Sequence, residues 1–172
     1  HLQTIGTIWP RRFRHLPPPE QRLVSVSEDT KLRLDCNWQP ERSARPTILL
    51  VHGLEGSSES QYMIGTADKA WAAGFNAVRV NIRNCGGTER LTPKLYNAGL
   101  SEDLASVIEQ LIRDEGLPEL HLAGYSMGGN TLLKLAGEWN TGAPPQVKSL
   151  GTISPSIDLA QCADALHRRS NL

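Results

Sequence analysis

The residues Gly124-Tyr125-Ser126-Met127-Gly128 have the spacing G-x-S-x-G. The chemistry this spacing suits is nucleophilic attack by a serine hydroxyl held on a sharp strand-to-helix turn. Small residues two before and two after Ser126 let strand and helix approach, so the hydroxyl projects above the sheet. A helix start leaves backbone N–H groups without partners. The Met127 amide beside Ser126 can therefore help to hold an oxyanion. A second donor is expected from the loop after an earlier buried strand. His52-Gly53-Leu54-Glu55-Gly56 is that loop, and the Leu54 amide is assigned the role. The loop's glycines let it fold close to the serine. The competing reading, a chance match in a Gly-rich turn, is weakened by the strand and helix patterns on either side. His52 reads as a structural imidazole bonding its own loop rather than as a general base. Cys85, in Asn84-Cys85-Gly86-Gly87, has no partner placed by spacing and reads as a loop thiol. The stretch 124–130 contains neither G-K-[ST] nor G-x-G-x-x-G, so phosphate-loop and dinucleotide readings fail. No H-E-x-x-H occurs, and no metal or other cofactor is expected.

The elements that must position Ser126 can be read from periodicity. Leu23–Val26 and Leu32–Trp38 alternate apolar and polar residues about Glu28-Asp29-Thr30, which predicts an antiparallel hairpin at a sheet edge. The apolar run Thr47–Val51 is a strand buried on both faces. Tyr62–Ala73 reads as a helix stopped by Gly74, and Phe75–Ile82 as the next strand. Leu104, Val107, Ile108, Leu111 and Ile112 recur at helical spacing. Ser101 stands as that helix's N-cap, Glu102 and Asp103 in its first turn, Gly116 and Pro118 at its exit. Glu119–Tyr125 is a strand. Met127–Trp139 is a helix with Leu132, Leu133, Leu135 and Trp139 inward. Val147–Ser154 is a further strand. Strands alternating with helices give an α/β fold, a mostly parallel sheet covered on both faces with right-handed crossovers.

The chain has 172 residues, 39% hydrophobic and 21% charged, enough for one domain with a sizeable core. Lys plus Arg and Asp plus Glu both number 18, for a net charge of zero. No global basic field recruits nucleic acid. No apolar run approaches the ~20 residues that cross a bilayer. Three scattered cysteines, Cys36, Cys85 and Cys162, suit neither a disulfide scaffold nor a zinc cluster. Reduced thiols in a cytoplasmic protein are the expectation. Residues 1–20 read as an N-terminal arm ending in Pro17-Pro18-Pro19. Arg11, Arg12, Arg14 and His15 lie near Trp9 and Phe13 there. A solvated basic arm is the plainer reading, weak contact with anionic lipid headgroups the sharper one.

Several motifs together resemble a known family. They are His1-Leu2-Gln3-Thr4, Trp9-Pro10, His52-Gly53-Leu54-Glu55-Gly56, Arg83-Asn84-Cys85-Gly86-Gly87, Tyr96-Asn97-Ala98-Gly99, Glu102-Asp103 and Gly124–Asn130. In this order, across nearly the whole chain, they look like the YheT-like branch of the α/β-hydrolase fold. The resemblance implies a serine esterase or acyl hydrolase, with Ser126 as nucleophile and Leu54 and Met127 as oxyanion donors. It implies a small-molecule ester substrate, acyl or lipid in type. Asn84 departs from the Gly common in relatives, and Asn is the residue next most tolerant of a left-handed backbone. A few extra residues also separate the Gln-Thr and Trp-Pro pieces of the arm.

In this fold the acid and histidine follow the serine in the chain. Asp158 and His167 have the right order, but Ile157–Leu166 reads as a helix with Asp158 in its first turn and His167 in its last, which separates their Cα atoms by about 13 Å. A hydrogen bond needs about 3 Å. They read instead as charges at the two ends of that helix. The expectation is that residues 21–172 form the N-terminal part of a hydrolase domain truncated after the sixth strand, with the triad partners and most of the lid beyond Leu172. Such a fragment should be inactive alone and tend to associate. The alternatives weighed are a non-catalytic binding module on a hydrolase scaffold and an acyltransferase sharing the acyl-enzyme.

Overall fold

The structure is a computed structural model, and it describes residues 12–167. The motifs His1–Thr4 and Trp9-Pro10, and Arg11 of the basic run, lie outside the described residues.

Six strands form one sheet in the order β1-β2-β4-β3-β5-β6. β1 (Glu20–Ser27) and β2 (Thr30–Asn37) make the expected antiparallel hairpin, with Val24 opposite Leu32. β1 alternates exposed and half-buried residues, as an edge strand solvated on one face should. β2 runs antiparallel to β4 (Asn76–Asn81), with Leu34 opposite Val80. The three remaining pairings are parallel: β3 (Thr47–Val51) with β4 and with β5 (Leu120–Tyr125), and β5 with β6 (Val147–Ile153). All six residues of β4 are buried, which explains why its sequence shows no alternation.

Helices cover both faces. α1 (Gln61–Ala72) follows β3, α2 (Ser101–Glu115) follows β4, α3 (Met127–Trp139) follows β5, and α4 (Leu159–Leu166) follows β6. α2 and α3 bury Leu104, Val107, Ile108 and Leu111, with Leu132 and Leu135, against one face. Each such side chain is worth about 1.5–3 kcal/mol when fully buried. On the opposite face Met63 and Ala67 of α1 pack on Leu50 and Ala77. The described part of the arm, from Arg12 on, is tied to α1 and β2. The Asp68 carboxylate on α1 accepts the N–H groups of His15 (2.7 Å) and Leu16 (2.9 Å), and Asn37 Nδ2 donates to the Pro17 carbonyl (2.7 Å). Arg12, Arg14 and His15 are exposed.

Three local expectations change. Ser101 is the first helical residue, not the cap, which is Leu100. The Ser101 hydroxyl is drawn instead to Glu138 (2.5 Å) and accepts from Lys134 Nζ (2.8 Å), both on α3. Leu133, expected inward, is 38% exposed because α3 contacts the sheet along a narrower stripe than its apolar pattern suggests. Asp158 lies before α4 rather than in its first turn, and its side chain caps the helix by accepting the Gln161 N–H (2.9 Å).

Candidate active site

The parallel order β4-β3-β5 brings the C-terminal ends of three strands to one edge of the sheet. The loops that follow them, residues 52–60, 82–100 and the bend at Ser126, therefore meet. Ser126 joins β5 to α3 with φ 50° and ψ −118°, a region a serine rarely occupies and one that costs of order 1–3 kcal/mol. The bend is held from both sides. The Ser126 N–H donates to the Ile153 carbonyl (2.9 Å), and the Ser126 carbonyl accepts from Asn130 N–H (3.0 Å). The glycine spacing is steric: a Cβ at Gly124 would lie 2.7 Å from the Gly128 carbonyl and the Gly129 Cα. The Ser126 hydroxyl has no hydrogen-bond partner among the described residues, and Met127, at the first position of α3, leaves its N–H without one.

Loop 52–60 passes directly beside the serine. A Cβ at Gly53 would stand 3.1 Å from Ser126 Cβ and 3.8 Å from Ser126 Oγ. Its amides can be accounted for one by one. Gly53 N–H donates to Tyr62 Oη (3.1 Å), Glu55 N–H to Tyr96 Oη (3.3 Å), and Gly56 N–H to the Gly53 carbonyl (3.1 Å). Ser57 N–H donates to Ser60 Oγ (3.0 Å), Ser58 N–H to Asn81 Oδ1 (2.9 Å), and Glu59 N–H to Ser57 Oγ (3.2 Å). Leu54 N–H meets no acceptor among the described residues. Its direction is nonetheless set. The Gly53 carbonyl, on the same peptide plane, also accepts from His52 Nδ1 (2.7 Å), and a trans peptide points its N–H away from its C=O.

His52 is fully buried, and its two ring nitrogens are both occupied. Ile82 N–H donates to Nε2 (3.2 Å), so Nδ1 carries the proton it gives to Gly53. Burial holds its pKa below the usual histidine range. The ring ties loop 52–60 to the end of β4 and has no nitrogen left to serve Ser126. His121 is engaged by Ser149 and Glu119, and His167 by the Ala163 carbonyl. Thus no histidine among the described residues is hydrogen-bonded to Ser126. Asp158 and His167 are the two caps of α4.

The loop after β4 is anchored by a buried ion pair. Arg83 Nε and Nη2 donate to Asp103 Oδ2 (2.6 Å) and Oδ1 (2.7 Å). Asn84 adopts φ 59°, a left-handed backbone that asparagine tolerates better than most residues. Cys85 is buried, and burial raises its thiol pKa, which disfavours the thiolate. Sequence reading missed Tyr62 and Tyr96 as partners of loop 52–60. Tyr96 stood inside a quoted motif without a role, and no local signal pointed to Tyr62.

Comparison with known proteins adds the following. Residues 46–167 match the profile of the alpha/beta hydrolase fold. The chain is 31% identical over 169 residues to the Escherichia coli K12 protein named "Putative esterase YheT", covering 95% of this chain and 47% of that protein. It is 30% identical over 164 residues to mouse "Phospholipase ABHD3", covering 90% of this chain and 39% of that protein. The chain thus spans about half the length, or less, of these curated relatives. Among solved structures, the Pyrococcus furiosus esterase Pf2001 superposes with a TM-score of 0.67 at 21% identity, covering 95% of this chain and 64% of that one. At that identity the likeness speaks to the fold alone.

Proposed function

The chain belongs to the α/β-hydrolase fold family, and from that premise we propose that it carries the nucleophile and oxyanion site of a carboxylic ester hydrolase. Ser126 Oγ attacks the acyl carbon of the ester. The Leu54 and Met127 N–H groups hold the tetrahedral oxyanion. The C–O bond to the alcohol breaks, and the alcohol departs with a proton. Water then attacks the acyl-enzyme, releasing the acid and restoring the serine. Proton relay in this scheme needs a histidine oriented by an acid, and no histidine among the described residues is hydrogen-bonded to Ser126.

The observation that carries this reading is that Leu54, next to the Gly53 that touches Ser126, and Met127 each have an N–H with no acceptor among the described residues, about a serine held at φ 50°. The names of the relatives, an esterase and a phospholipase, support a small-molecule acyl ester as substrate. The three free thiols fit the cytoplasmic location we place it in. The test is a fluorophosphonate probe on the full-length protein. Stoichiometric labelling at Ser126, lost in Ser126→Ala, is expected. A folded protein that stays unlabelled would leave a binding module in place of the enzyme.

A further inference from the structure

Three successive peptide planes of loop 52–60 are clamped by different parts of the chain. The 53–54 plane, which carries the Leu54 N–H, is held through the Gly53 carbonyl by His52 Nδ1 and Gly56 N–H. The 52–53 plane is held by Tyr62 Oη and the 54–55 plane by Tyr96 Oη. Glu55, between these anchors, is a non-glycine residue at φ 52°. Such a backbone persists only when its surroundings over-determine it, and here the bond to Tyr96 adds to the Gly56 N–H to Gly53 carbonyl bond that closes the turn.

Neither tyrosine is loose. The Tyr62 ring leans on Tyr125, the neighbour of Ser126, with centroids 4.6 Å apart, and Tyr125 Oη is bonded to Thr66 Oγ1 (2.5 Å). A Cβ at Gly56 would lie 2.7 Å from Tyr62 Oη, so the hydroxyl sits inside the curl of the loop. Tyr96 comes from the loop after β4, whose start is pinned by the Arg83–Asp103 pair, and lines a small cavity with both residues.

We propose that Tyr62 and Tyr96 are positioning residues of the oxyanion site: by accepting the N–H groups on either side of Leu54, their hydroxyls fix the direction of the one amide of the loop left free for substrate. This rests on Ser126 being the nucleophile. His52 Nδ1 and Gly56 N–H hold the Leu54 plane through its carbonyl, but with either neighbouring plane unclamped the backbone torsions on each side of Leu54 would still let its N–H tilt toward water. Clamped, it waits in place without reorganising during the reaction, which is what makes an oxyanion donor effective. The interaction matters only when negative charge develops on the acyl oxygen, so losing it lowers kcat and leaves ester binding alone.

The experiment compares Tyr62→Phe and Tyr96→Phe with the parent in the full-length protein. Each change keeps the ring and removes only the acceptor. The expected result is a fall in kcat of about tenfold or more, with KM within about twofold. Inhibition by a trifluoromethyl ketone, whose serine adduct bears an oxyanion, should weaken by the same factor, with fluorophosphonate labelling still complete; Tyr96→Phe keeps the parent thermal midpoint, and Tyr62→Phe, which leaves the buried Gly53 N–H without its acceptor, lowers it. Parent-like kcat and ketone affinity in both variants, or losses confined to KM or to thermal stability, would overturn the assignment. Should Tyr62→Phe fail to fold, the half-exposed Tyr96 decides alone. An unlabelled parent protein would instead mean that the Ser126 reading had failed.

Discussion

A Cβ at Gly128 would lie 2.3 Å from the His52 carbonyl oxygen and 2.7 Å from that of Val51. Both are main-chain atoms at the end of β3 and cannot step aside. Gly128→Ala should therefore push α3 away from the sheet and cost about 3 kcal/mol, the upper part of the usual overpacking range. Urea unfolding of the full-length protein checks this. Gly137→Ala is the matched control: nothing lies within 4 Å of a Cβ there, and it should stabilise α3 by about 0.5–1 kcal/mol. A parent-like midpoint for Gly128→Ala would mean that the helix is not pressed against loop 52–60 as described. The motif thus has two glycines with different neighbours. Gly124 faces its own helix start, and Gly128 faces a strand more than seventy residues earlier in the chain.

The loops gain order from the elements that flank them, and the Arg83–Asp103 pair anchors the start of the loop after β4. Both side chains are almost fully buried and bonded bidentately. The bond to Asp103 holds the Arg83 pKa above its usual value. Removing one partner of such a pair leaves an uncompensated buried charge, which typically costs 3–5 kcal/mol. Asp103→Asn should destabilise the full-length protein by about 3 kcal/mol, and Arg83→Met with Asp103→Leu should recover part of that loss, both read as urea midpoints. An additive double mutant would show that the two residues act separately. Asp103 does more than complement the α2 dipole, the only role its position in the first turn suggested. Among the described residues, periodicity located the four α-helices and six strands to within a residue or two at each end, except β1, which starts three residues before the stretch read for it. Partners across space were another matter, as Ser101 shows by bonding to α3 instead of capping its own helix.

For the whole molecule the open side is β6. Among the described residues it pairs only with β5, so its outer edge presents unpaired N–H and C=O groups. Ile153, Ile157 and Leu159 are 46%, 78% and 49% exposed at the same end. An uncovered strand edge beside an apolar patch templates association. We expect residues 1–172, prepared alone, to show a mass that rises with concentration in light scattering and no measurable ester turnover. Ile153→Lys with Ile157→Lys should shift the mass toward monomer. A sharp monomer peak for the parent segment, or turnover abolished by Ser126→Ala, would overturn this.

Much of this protein is written in short-range terms. G-x-S-x-G, the apolar period of α2 and α3, the continuous run of β3 and the hairpin about Glu28-Asp29 each depend on residues within a few positions of one another, because turn chemistry and helix or strand period are local properties of the chain. From them alone follow an α/β fold and a serine on a strand-to-helix bend. What only the tertiary structure decided is which amides near that serine are already donated. Tyr62 and Tyr96 reach loop 52–60 from α1 and from the loop after β4, and Asp103 reaches Arg83 from α2, since the order β4-β3-β5 brings three strand ends to one edge. Hydrogen bonds formed by that convergence join residues up to 41 positions apart, and no single stretch of sequence carries a record of them.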